Sequence, residues 1–170
     1  MAVPTWALSL SYWLHMLATV VWLGGLAAAG LVTLPLIARL DDDASRLDLL
    51  HKAQKKLDPL GWLSLAVLIA TGLVQMSASD RYQGLLAFGN AWSQSILLKH
   101  IVFLGMVGLS AYLTWAALPE LGRAVLRTTR GRAEPGEIDA LFRKHRLILW
   151  GNLVLGAVVL VFTALARVNA

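Results

Sequence analysis

Residues 6–37 read WALSLSYWLHMLATVVWLGGLAAAGLVTLPLI and form the longest apolar run of the chain. An α-helix needs only about 20 apolar residues to cross a bilayer, so this run is longer than one crossing requires. It predicts a membrane-spanning helix that is tilted or that begins in the interface. Trp6, Tyr12 and Trp13 near its start are typical of an aromatic belt at the membrane surface.

His15, inside this run, is the first candidate functional residue. It precedes Trp22 by two helical turns, so both side chains lie on one helix face. An ionisable side chain inside a membrane needs a partner, which makes it a functional-site hypothesis by default. Gly24 and Gly25 follow directly and predict a smooth surface where a neighbouring helix or a flat ligand approaches closely.

The composition excludes an ordinary soluble domain. Hydrophobic residues make up 58% of the 170 residues and charged residues only 15%, against about 25% charged in soluble domains. Three further apolar runs lie at about 60–79, 92–118 and 147–166. The absence of cysteine excludes disulfides, thiolate metal sites, iron–sulfur clusters and covalently attached haem. We expect an all-α integral membrane protein, with residues 1–170 forming one antiparallel four-helix transmembrane bundle.

The distribution of lysine and arginine predicts the orientation. Twelve of the 15 basic residues lie in two long loops, which the positive-inside rule assigns to the cytoplasm. They are Arg39, Arg46, Lys52, Lys55 and Lys56, then Arg123, Arg127, Arg130, Arg132, Arg143, Lys144 and Arg146. We therefore expect both termini on the periplasmic side. Because the +5 net charge is concentrated in these loops, nucleic acid is not an expected partner.

Both long loops carry signals for further helix. Asp43 or Ser45 is expected to cap a helix that leads towards the second run. Pro59 marks either a kink or the first turn of that crossing. Pro135-Gly136 predicts a turn in the third loop. Residues 137–146 are then expected to form an amphipathic lead-in to the fourth run.

The four histidines suggest two layers. His15 and His100 each lie on the order of 5–12 Å into their helices from the outer aromatic belt, so we expect them to share an outer layer. His51 and His145 precede the second and fourth runs and could form an inner layer. That match is poorer, because His51 lies nine residues before Leu60, about 13 Å further out in a straight helix.

Two facing imidazoles in a four-helix bundle can hold a planar cofactor, and the pattern predicts one haem b, or two. The metal-ligand candidates are His15 and His100 outside and His51 and His145 inside. Cations for the propionates are expected from Lys99 in the outer layer, and from Arg143, Lys144 and Arg146 in the inner one. The apolar slot would be formed by Trp22, Gly24 and Gly25.

Simpler interpretations stand beside this one. His51 and His145 could be solvated loop residues, and His15 and His100 could form interhelical hydrogen bonds to serine or threonine. Copper is the alternative metal, because imidazole and thioether groups bind it. The candidate thioethers, Met16, Met76 and Met106, form no motif.

Four segments together resemble the membrane domain of the copper-resistance D (CopD) family. They are LHMLATVVWLGGL at 14–26, LGWLSLAVLIATGLVQM at 60–76, ILLKHIVFLGMVGLSAYL at 96–113 and NLVLGAVVLVFTALAR at 152–167. The resemblance implies copper uptake or handling at the bacterial inner membrane. Full-length members often have eight crossings, whereas four are predicted here.

The same segments are more weakly similar to the four-helix membrane protoporphyrinogen oxidases, which are haem-associated. There His15 and Lys99 would occupy functional positions. The chain departs from that family where Leu36 replaces the arginine of a Leu-Pro-Arg-Leu segment. It departs again at Leu153, where an acidic residue is expected after Asn152. Di-haem membrane cytochromes b share the layout of histidines on four helices.

These patterns favour a haem b-binding electron-transfer protein, or a subunit of a respiratory or photosynthetic complex, over a stand-alone enzyme. Copper transport or handling is the first alternative, and a haem-associated protoporphyrinogen oxidase is the second. The expected partners are the lipid bilayer and other membrane subunits or redox proteins.

The charge asymmetry predicts the outcome of a topology experiment. A reporter fused after Ala170 should be active on the periplasmic side, and the same reporter inserted at Gly131 should be cytoplasmic. Paired alkaline phosphatase and fluorescent-protein fusions measure both positions. A cytoplasmic C-terminal reporter would contradict the orientation and with it the outer and inner layers of histidines.

Overall fold

A computed structural model describes residues 3–82, 84, 86, 88–132 and 136–169. All regular secondary structure in these ranges is helical. The four long helices are α1 (Thr5–Ile37), α2 (Asp43–Ser77), α3 (Ala91–Thr129) and α4 (Glu137–Val168). Each is long and apolar enough to cross a membrane. The prediction of an all-α, four-helix transmembrane protein is therefore confirmed.

Helices α2, α3 and α4 extend well beyond the apolar runs. The cap of α2 is Asp42, not Asp43 or Ser45, and its carboxylate accepts a hydrogen bond from the Ser45 backbone N–H at 2.9 Å. Hydrogen bonds from the Ser45 hydroxyl and N–H lower the pKa of Asp42. Pro59 lies inside the helix with its ring exposed, so it does not begin the crossing. The turn expected at 135–136 involves Pro135, which lies outside the described residues.

Two helices contain the same irregularity. In α1 a π-helical turn spans Ala28–Thr33, and in α3 one spans Leu113–Ala117. Each turn lies just before a Leu-Pro pair, which contains Pro35 in α1 and Pro119 in α3. A proline ring clashes with the carbonyl four residues earlier, and that carbonyl falls inside the π turn in both helices. The wider turn gives the ring space.

The matching turns indicate that the chain consists of two similar helical hairpins, α1–α2 and α3–α4. Helices α2 and α4 also carry similar segments, VLIATGL at 67–73 and VLVFTAL at 159–165. The most extensive contacts lie within each hairpin, while α2 packs on the inner part of α3 and α1 touches α4. The sequence alone did not reveal this repeat. Apolar segments resemble one another by chance, so a weak similarity between two of them does not indicate a repeat.

The bundle core has two main apolar clusters. The larger lies towards the helix ends at Ile37 and Thr129 and includes Leu47, Leu121 and Leu149. The second includes Trp22 and Met106, and the Trp22 ring meets Phe103 edge-on with centroids 5.6 Å apart. Large apolar side chains on the outer surface of the helices remain exposed, as expected of residues that contact lipid.

Gly156 marks the closest approach of α4 to the second cluster. A Cβ atom added there would lie 2.6 Å from Leu23 Cδ2 and 3.2 Å from Met106 Cε. Nothing lies within 4 Å of a Cβ added at Gly108 on α3. The absence of a side chain at Gly156 therefore allows α1, α3 and α4 to meet.

We predict that Gly156→Ala lowers the free energy of unfolding by about 1 kcal/mol, because Leu23 and Met106 have to move in a close-packed core. Denaturant titration of the purified protein in detergent measures the change. Gly108→Ala is the matched control and should not be destabilised. Equal stability of the two variants would contradict tight packing at Gly156.

Candidate functional site

His15 forms part of a polar contact between α1 and α2. Its Nδ1 lies 2.7 Å from Thr71 Oγ1, and the Thr71 hydroxyl donates to the Val67 carbonyl at 2.6 Å. The threonine oxygen therefore accepts from His15 Nδ1–H, and Nε2 keeps an unprotonated lone pair. Ser11 donates to the Thr71 carbonyl at 3.1 Å, and Gln75 donates to the Ser11 carbonyl at 3.2 Å. The interhelical hydrogen bond to threonine, left open by the sequence, is present.

His100 has a similar protonation pattern with a different partner. Its Nδ1 lies 2.6 Å from the Ile96 carbonyl of its own helix, so Nδ1–H donates and Nε2 carries the lone pair. Metal-bound histidines have this pattern, with the second ring nitrogen donating to an oxygen. Within the described ranges no hydrogen bond joins His15 to His100. Their facing each other across the bundle stays a prediction.

The residues around His15 are only partly those expected. Lys99 directly precedes His100 in α3. Trp22 is buried, as expected of a residue on the inner face of α1. The two glycines differ, because Gly25 lines a cavity whereas Gly24 is exposed with open space beside it.

The two inner histidines lie in different environments. The His51 ring packs on Gly122 of α3, where an added Cβ would be 3.2 Å from His51 Cε1. His51 Nδ1 is buried and has no hydrogen-bond partner. His145 is 2% exposed, and its Nε2 lies 3.3 Å from Gln54 Oε1. Solvation in a loop is therefore the wrong interpretation for His145. In the described part of the chain, no hydrogen bond connects the two rings.

The cations expected for a second haem lie elsewhere. Lys144 pairs with Glu120 at 2.8 Å and also lies over the Tyr112 ring. Arg143 and Arg146 are exposed. Lys144 therefore links α4 to α3, and no described contact directs the two arginines at an interior cofactor.

A polar cluster that sequence reasoning missed lies between the hairpins. Asp58 Oδ1 accepts from the Thr114 hydroxyl at 2.8 Å and from Gln54 Nε2 at 3.4 Å. The Trp62 indole N–H donates to Thr114 Oγ1 at 2.9 Å, and Gln54 continues the chain to His145. The sequence analysis did not single out Asp58, because this residue precedes the second apolar run. The spacing of Gln54, Asp58 and Trp62, four residues apart, was the signal for one helix face.

A cavity of about 140 Å³ adjoins this cluster and touches all four helices. Its polar lining comes from Gln54, Asp58 and Ser110, and the other lining residues are apolar or glycine. Among the described residues no three histidine, cysteine, aspartate or glutamate side chains gather as a metal site. Two separate candidate places for a ligand are thus the imidazoles of α1 and α3 and the cavity between the hairpins.

The family model of copper resistance protein D (CopD) matches residues 51–166. The chain belongs to this family. Comparison with curated proteins and with solved structures finds no match. The match covers most of α2, all of α3 and most of α4, and it includes Asp58, Lys99, His100 and His145. Helix α1, with the His15–Trp22 element, lies outside the matched residues.

Family and fold together identify a copper-resistance-related, multi-pass inner-membrane protein whose four helices contact the bilayer. They support the copper alternative over haem b electron transfer, the first interpretation of the histidine layers. For this CopD-family chain, haem and its redox partners have no support from the comparison.

The His15–Thr71 contact leads to a prediction with a matched control. Thr71→Val removes the acceptor of His15 Nδ1–H, so the imidazole should populate both neutral tautomers. The bundle should lose about 1 kcal/mol, the usual range for a hydrogen bond between membrane helices. Nitrogen NMR of isotopically labelled histidine reports the tautomer, and unfolding in detergent reports the stability.

Thr163→Val is the control. Thr163 occupies the corresponding place in α4, but its hydroxyl bonds only to the Val159 carbonyl of its own helix, at 2.8 Å. This variant should leave the His15 signal unchanged. An unaltered His15 tautomer in Thr71→Val would show that another group holds the ring.

Proposed function

We propose that this CopD-family protein moves copper across the inner membrane and that His15 and His100 bind the ion, as cargo, near the outer surface. The observation that carries the proposal is the hydrogen bonding of the two rings. Both donate from Nδ1 to an oxygen and keep Nε2 available. Oriented, neutral imidazoles of this kind are ligands for copper.

Lys99 fits a transport site better than a storage site. Lys99 directly precedes His100, and an ammonium group next to a metal ligand opposes a second positive charge nearby. A translocated ion has to bind well enough to enter and weakly enough to leave. A neighbouring ammonium group lowers the affinity for a cation and so favours release.

The experiment compares copper binding by the purified protein and its variants. His15→Ala and His100→Ala should each weaken Cu(I) binding by more than about tenfold, since loss of a residue that only supports a ligand already costs 10- to 100-fold. Competition with a chromophoric Cu(I) chelator measures the affinity. Cells that produce these variants should also accumulate less copper than cells with the wild type.

Met16→Leu is the matched control. Met16 follows His15 directly and carries a potential copper ligand, but its side chain is 61% exposed on the outer face of α1. This variant should bind copper like the wild type. Undiminished copper binding in both histidine variants would contradict the proposal. A Soret band in the wild type that both histidine variants lose would replace copper with haem b as the ligand.

A further inference from the structure

The cavity between the hairpins contains a carboxylate without a cationic partner. Ion pairs of the described residues are all formed by other acids. Both hydrogen bonds to Asp58 reach Oδ1, so Oδ2 accepts none within the described ranges. A carboxylate in an apolar environment is costly unless a positive charge compensates it.

A second oxygen close to this cavity also lacks a partner. Asn152 of α4 is 0% exposed, and its Nδ2 donates to Ser110 Oγ at 3.0 Å. Its Oδ1 is buried without a hydrogen bond. Asn152 is not part of the cavity lining, but Ser110 is, so the asparagine orients a hydroxyl of the cavity wall.

The remaining walls supply no compensating charge. Helix α1 contributes only apolar residues and glycine, and α3 contributes Ser110 and Leu113. From α4, Leu149 lines the cavity. His145 approaches only through Gln54, as a hydrogen-bond donor to its amide oxygen. The one formal charge on the cavity lining is therefore that of Asp58.

We propose that this cavity binds one hard monovalent cation of the sodium or potassium type. Asp58 supplies the charge, and the hydroxyl of Ser110 supplies a neutral oxygen. Oxygen donors select hard cations over copper(I), which prefers sulfur and nitrogen. A single carboxylate suits one positive charge, whereas calcium takes six to eight oxygens, commonly from several carboxylates.

The volume and the position agree with this occupant. About 140 Å³ accommodates a small ion with several waters, which complete its coordination. The cavity lies where the two hairpins meet, the place where transporters built from repeats bind substrates and coupling ions. The site uses neither His15 nor His100, so it is independent of the proposed copper ligands.

Binding of radioactive sodium to the purified protein in detergent tests the proposal. The wild type should bind sodium saturably, and unlabelled sodium or potassium should displace it at constant ionic strength maintained with choline. Asp58→Asn should abolish the binding while it keeps the oxygen that accepts from Thr114. Ser110→Ala should weaken the binding. Tryptophan fluorescence gives a second readout, because Trp22 and Trp62 line the cavity.

Asp48→Asn is the matched control, since Asp48 lies on the same helix and forms an ion pair with Lys52 outside the cavity. It should bind sodium like the wild type, and so should His15→Ala. The absence of saturable sodium binding in the wild type would overturn the proposal. Equal binding by the wild type, Asp58→Asn and Ser110→Ala would overturn it too. Neither result bears on copper binding by the histidines.

Discussion

The hydrogen bond from Thr114 to Asp58 joins the two hairpins through polar side chains. It connects α2 to α3, and the same threonine oxygen accepts from Trp62. Through Gln54, the carboxylate is also linked to His145 of α4. In a bilayer, where lipid already surrounds apolar surfaces, such polar contacts specify which helices meet. The cavity lies beside these contacts, and Asp58 supplies the one formal charge on its lining.

The two hairpins have a common plan but different polar contacts. The first helix of each hairpin has a histidine in its first half and a π-helical turn before a Leu-Pro pair in its second half. In the first hairpin, His15 bonds across to Thr71. In the second, His100 bonds within its own helix, as does Thr163. Among the described residues, the interhelical bond of the histidine is therefore present in the first hairpin and has no counterpart at His100.

Membership of the CopD family changes the metal that the histidines are expected to bind. Sequence spacing suggested that they ligate haem, whereas the family connects the chain with copper resistance. The hydrogen bonding of the two rings suits either metal, because an imidazole that donates from Nδ1 has its Nε2 lone pair free to bind an ion. The separate cavity offers oxygen atoms of polar side chains, not imidazole nitrogen. A membrane protein that carries both would distinguish a soft ion from a hard one by donor type alone.

The sequence by itself determined the fold class and the four crossings, because the hydrophobicity needed to enter a bilayer is written locally in runs of about 20 residues. It also identified His15 and His100 as candidates, since an ionisable group in such a run is conspicuous. Tertiary structure decided the partner of each ring, the burial of His145 and the place of Asp58 inside the bundle. Those outcomes depend on which helix faces which, and apolar surfaces in lipid encode that choice only weakly. The sequence likewise left open whether Pro59 lies in the first turn of a helix or inside one, and the structure has it inside α2.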